Sequence, residues 1–83
     1  MAEEQLIGKV THYYSKLGVA IVELSGTLSA GDRVHVKGHL SDFEQPVDSM
    51  QVEHQNVENA KKGDVIGLKV SEKVREGDEV YKV

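Results

Sequence analysis

The chain has 83 residues, a formal net charge of −4 and no cysteine. This is one domain's worth of sequence. It excludes a disulfide scaffold and a thiolate zinc site, and offers no bulk positive field for holding nucleic-acid phosphates. No apolar run reaches the ~18 residues that a membrane helix needs. The N-terminal Met-Ala-Glu-Glu-Gln lacks the basic-then-apolar order of a secretory signal, so the expected setting is a reducing cytoplasm.

Residues 1–5 read as a flexible N-terminus and residues 6–83 as a single domain. The first β-type run is Leu6 to Tyr14, where Leu6, Gly8 and Val10 fall on one face and Lys9 and Thr11 on the other. Ser15-Lys16-Leu17-Gly18 reads as a hairpin connection. The second run, Val19 to Leu24, places Ala20, Val22 and Leu24 on one face and Val19 and Ile21 on the other, as in a central strand or one covered on its outer side. Ser25-Gly26 breaks it, and Leu28 follows alone.

The third run, Arg33 to His39, alternates Val34, Val36 and Gly38 with Arg33, His35 and Lys37. Leu40-Ser41-Asp42 is a loop. The fourth run, Phe43 to His54, changes step between Val47, Met50 and Val52, which predicts a bulge near Asp48-Ser49. Gln55 to Lys62 is polar, anchored by Val57 and Ala60, with room for one helical turn. The fifth run, Val65 to Val70, puts Ile66, Leu68 and Val70 on one face; after a charged connection, Glu79 to Val83 is the last run.

Gly31-Asp32, Gly63-Asp64 and Gly77-Asp78 each stand at the entry to a run. Glycine accepts a left-handed backbone, and aspartate can bond its side chain to nearby backbone N–H groups, so each pair predicts a turn. About six strands with short connections predict an all-β fold, a small six-stranded antiparallel barrel, closed or nearly closed. Closure also removes the edges that invite aggregation.

The order Ile7-Gly8-Lys9-Val10, Gly18-Val19-Ala20-Ile21-Val22, Gly26-Thr27-Leu28, Gly31-Asp32-Arg33-Val34, Asp42-Phe43, Val47 to Val52 and Val57 to Leu68 resembles domain II of the translational GTPases, the elongation factor Tu family. The resemblance covers residues 6–83 and implies a stand-alone translation-factor-type barrel, a binding module for RNA, tRNA or a ribosome-associated partner. The matched positions build scaffold, so no contact residue of that family carries over. No G-x-x-x-x-G-K-[ST] loop is present, so no GTP binding is expected. Similar barrels are also appended to proteins outside translation, including peptidase-like and RNA-modifying proteins. The negative charge supports an alternative, a protein–protein adaptor of the same fold with no nucleic-acid role. Biotinyl and lipoyl carrier domains share Gly-Asp turns, but the lysine they modify has no counterpart beside Met50.

No residue set points to catalysis, and neither a cofactor nor a metal is expected. His12, His35, His39 and His54 read as surface histidines; His35 and His39 lie roughly 13 Å apart on an extended strand. Glu23, between Val22 and Leu24, reads as an exterior residue, and no nucleophile–base pair appears. Lys16, Arg33, Lys37 and Lys61-Lys62 read as solvated charge. Two small aromatic groupings remain as candidate partner contacts: Tyr13 and Tyr14 with Lys16, and Phe43 with Lys37 and His39. One of the two tyrosines must face solvent, because strand neighbours point to opposite sides.

Overall fold

A computed structural model describes residues 4–39, 42–48, 50–53 and 55–83. Its strands are β1 (Gln5–Tyr14), β2 (Val19–Leu24), β3 (Leu28–Ser29), β4 (Arg33–Lys37), β5 (Asp42–Pro46), β6 (Met50–Val52), β7 (Gln55–Val57), β8 (Asn59–Ala60), β9 (Val65–Lys69) and β10 (Glu79–Lys82). Eight of them form one antiparallel sheet in the order β5-β4-β10-β1-β2-β9-β6-β7, and β3 pairs with β8 as a separate ribbon. Among the described residues there is no helix, and so none long and apolar enough to cross a membrane.

The fold is all-β and antiparallel, as expected, but the six-stranded barrel, closed or nearly closed, is corrected to an open half-barrel sheet of eight strands. Among the described residues no ladder joins its edge strands β5 and β7. The difference arises mainly in the run 43–54, which is two strands on opposite flanks. β5 pairs with β4, whereas β6 pairs with β7 and β9. Pro46, which has no N–H to give, ends β5 at an edge. Val47 then turns away: its N–H donates to the Asp32 carbonyl at 2.7 Å, and its carbonyl accepts from Gly31 at 2.9 Å. Ser49, where the bulge was expected, lies outside the described residues, as do Leu40 and Ser41 of the expected loop. The helical turn expected in 55–62 is replaced by β7 and β8.

The first strand also differs from simple alternation. Its register against β10 shifts between Leu6 and Gly8, and against β2 between Val10 and His12. Each bulge adds a residue and flips the faces. Ile7 and Val10, three apart, are therefore both buried, while Leu6, expected inside, is exposed. The other expected faces hold. Ala20, Val22 and Leu24, then Val34 and Val36, then Ile66, Leu68 and Val70 are buried in one core. Burying each of the larger side chains contributes about 1.5–3 kcal/mol. Val74, from the charged connection, joins them.

The three Gly-Asp pairs share one turn. In each, the glycine has φ between 92° and 94°, the value wanted at the third position of a type II turn. The Asp N–H donates to the carbonyl three residues back, in Ser29, Lys61 and Arg75. The same residue's N–H returns a bond to the Asp carboxylate, at 2.9 Å for Asp32 and 3.0 Å for Asp64 and Asp78. These reciprocal pairs satisfy backbone groups where no ladder can.

A side chain bridges the open side of the sheet. Gln45 of β5 is only 6% exposed. Its Nε2 donates to the Lys69 carbonyl at 2.8 Å. Its Oε1 accepts from the Ser71 N–H at 2.7 Å and from Ser71 Oγ at 3.1 Å. The amide thus substitutes for a backbone peptide group between β5 and the end of β9.

Candidate functional site

The outer face of β2 and β9 carries an exposed apolar surface. The β1–β2 hairpin places Tyr14 (47% exposed) and Leu17 (67%) at one end, and β9 supplies Val65 (50%) at the other. Between them lie Val19 and Ile21, half-buried on the outward side of β2. Gly67 pairs with Ile21 on one side and Gln51 on the other, and with no side chain of its own it forms a trough. A Cβ at Gly67 would sit 3.5 Å from Val19 and 3.9 Å from Ile21, ordinary contact distances, so a methyl group there would rest against the trough's walls without displacing them. Gln51 and Glu53 give it a polar rim. Its chemistry is that of a contact surface: apolar, shallow and edged by polar groups.

The residues singled out in the sequence separate here. Tyr14 and Lys16 are exposed on the same hairpin, whereas Tyr13 is half-buried and packs against the core. Lys37 and His39 are exposed beyond the other flank of the sheet. Phe43 is corrected: it lies in the core at 8% exposure, because it alternates inward opposite Val36, and its ring is no stacking face. Leu17 and Val65 were missed. A lone leucine in a turn and the first valine of a strand looked like punctuation, and only the folded hairpin brings them to one face.

A second grouping surrounds His35 on β4. Its Nδ1 lies 2.6 Å from Glu4, and its Nε2 bonds Asp42. These bonds, Asp42's foremost and Glu4's next, outweigh burial and raise His35 above its ordinary 6.5. The bond from His35 holds Asp42 below its ordinary 3.8. Glu44, at 3.1 Å from Arg33, completes the grouping. Glu4, His35 and Glu44 bring donor atoms within 4.8 Å of one another, and the two carboxylates are already bonded to His35 and Arg33. Of the other histidines, His12 pairs with Glu76 at 3.2 Å, and His54 lies outside the described residues. Nothing in the linear sequence places Glu4 beside His35.

No protein-family profile matches the chain. Among curated proteins, it is 45% identical over 76 residues to an uncharacterized protease of Methanocaldococcus jannaschii, covering 90% of this chain and 19% of that one. It is 39% identical over 82 residues to a collagenase of Porphyromonas gingivalis, covering 96% of this chain and 23% of the collagenase. The chain therefore spans about a fifth of the length of these relatives. Two crystal structures of the C-terminal domain of a Geobacillus thermoleovorans chain described as a U32 peptidase superpose with TM-scores of 0.89 and 0.87, at 21% and 20% identity. They cover 95% and 92% of this chain, and 92% and 96% of those.

These findings overturn the likeness to domain II of the translational GTPases. The relatives are named as a protease and a collagenase, and the structural counterpart is a peptidase domain. The RNA-, tRNA- or ribosome-binding reading goes with that likeness, and the adaptor alternative loses its translation-type setting. The shared signal was the scaffold: glycine turns and alternating valines specify a small barrel whatever it is attached to. The chain has the fold of the C-terminal domain of that U32 peptidase.

Proposed function

We propose that this chain is a non-catalytic accessory half-barrel of a U32-peptidase-type protein, seating a peptidase-like body on the Tyr14–Leu17–Val65 face. One observation carries the reading. Stretches 45% and 39% identical to nearly all of this chain make up only 19% and 23% of a named protease and a named collagenase. A segment of that proportion is a single module beside a much larger body, and the larger body has room for the chemistry. The side chains support a supporting role. Among the described residues, the bonded hydroxyls of Ser29 and Ser71 meet an asparagine and a glutamine, so neither of these two serines is paired with a base. The exposed apolar trough suits a flat protein surface better than a small substrate. Free of cysteine, the barrel needs no oxidising compartment, and we assign it to the cytoplasm on that basis.

The test is direct. The purified chain is incubated with fluorescein-labelled gelatin and casein, and release of dye is followed. The reading expects no hydrolysis above buffer. Hydrolysis that co-purifies with the chain and scales with its concentration would overturn it.

A further inference from the structure

We propose that His35 is a proton-gated clasp that ties the segment leading into β1 to the start of β5. The two carboxylates it joins come from opposite sides. Glu4 precedes β1 and reaches Nδ1 at 2.6 Å; Asp42 opens β5 and bonds Nε2. In the sheet order β5-β4-β10-β1, the bridge passes over β10, where Tyr81 faces the imidazole with ring centroids 6.5 Å apart. One side chain therefore links elements that share no ladder.

Both bonds require N–H on both ring nitrogens, and only the imidazolium has two. A neutral ring donates one bond and turns a lone pair toward the other carboxylate. The other polar groups around the ring are already engaged. Glu44 of β5 is held by Arg33 of β4 at 3.1 Å, Lys37 of β4 lies near Asp42, and the Tyr81 phenol of β10 bonds Glu79 at 3.4 Å. His35 is the member of this group that changes charge between mildly acidic and mildly basic conditions.

The signs define a window. His35 is raised above 6.5 in the folded chain. Its contribution is full below 6.5 and is lost as pH rises through the higher folded value. Asp42 is lowered from 3.8, so its contribution is full above 3.8 and is lost as pH falls through the lower folded value. The clasp is closed between these limits and opens from the alkaline side as His35 loses its proton.

The experiment is an NMR titration of the uniformly labelled chain from pH 5 to 9, following the His35 ring nitrogens and the side-chain carboxyl carbons. Glu4 and Asp42 are both exposed, so E4Q and D42N keep the fold. The expected result is a His35 midpoint above 6.5 that moves down in E4Q and again in D42N, with the Glu4 carboxyl carbon shifting at that same midpoint. A Glu4 signal without an inflection there, or a midpoint unmoved by E4Q, would overturn the clasp.

Discussion

Removing the Gln45 amide asks how the open sheet is held together. In Gln45→Ala, three hydrogen bonds vanish at once: those to the Lys69 carbonyl, the Ser71 N–H and the Ser71 hydroxyl. The two backbone groups lose their partners in a half-covered seam, at about 1 kcal/mol each where water can reach them and up to about 3 where it cannot. Most of the side chain's burial is lost as well. The expected cost is about 2–4 kcal/mol. For 83 residues the whole stability is of order 4–12 kcal/mol, so this one amide carries a large fraction. Urea unfolding measures the cost, and amide exchange at Ser71 should accelerate. Gln45→Glu sharpens the argument. The carboxylate still accepts from Ser71 but opposes the Lys69 carbonyl, so the variant is destabilised at pH 7. Its carboxyl pKa is raised by the fold; the deficit shrinks as pH falls through that raised value and disappears below about 4.3, where folded and unfolded forms are both protonated. An alanine variant within about 0.5 kcal/mol of the parent, with Ser71 exchange unchanged, would refute the bridging role.

Gly38→Ala should cost about 2–4 kcal/mol, because a Cβ there would stand 1.9 Å from Oδ1 of the buried Asp78, whose other oxygen holds the Arg75 N–H. In a double-mutant cycle with Asp78→Ala the Gly38→Ala cost should largely disappear; chemical denaturation reads both. Gly77→Ala should cost about 1–2 kcal/mol, since φ is 93° and nothing lies within 4 Å, so the penalty is purely backbone. Leu17→Asp should leave the unfolding midpoint within about 0.5 kcal/mol of the parent while abolishing docking to a peptidase body, as a binding titration would show.

The sequence made the core faces legible where a strand is regular. In β2, β4 and β9 the period of two names the buried residues directly. The Gly-Asp corners were equally readable, because the turn chemistry lies within four consecutive residues. What escaped depended on register or on distance along the chain. The first bulge in β1 turns Leu6 outward and brings in Ile7; a shift of one residue reverses a face. The run beginning at Phe43 looked continuous, although Pro46 and Val47 send it to the opposite flank of the sheet. Gln45 resembled a surface glutamine, because its partners lie 24 and 26 residues away. The same limit applies to the candidate site. Tyr14 was visible as one of an adjacent aromatic pair, but Leu17, Ile21, Val65 and Gly67 become one surface only after β2 and β9 pair. The likeness to a translation-factor barrel drew on scaffold residues alone, and scaffold residues cannot distinguish one barrel's partner from another's.

The most direct test of the accessory-barrel account is a titration of the isotope-labelled chain with a U32-peptidase-type body lacking its own matching segment, followed through backbone amide shifts. The account predicts saturable changes confined to the stretch from Tyr14 to Ile21 and to Val65 through Gly67, absent in Leu17→Asp. Unchanged spectra at excess body, or changes centred on β4 and β5 that survive Leu17→Asp, would contradict it.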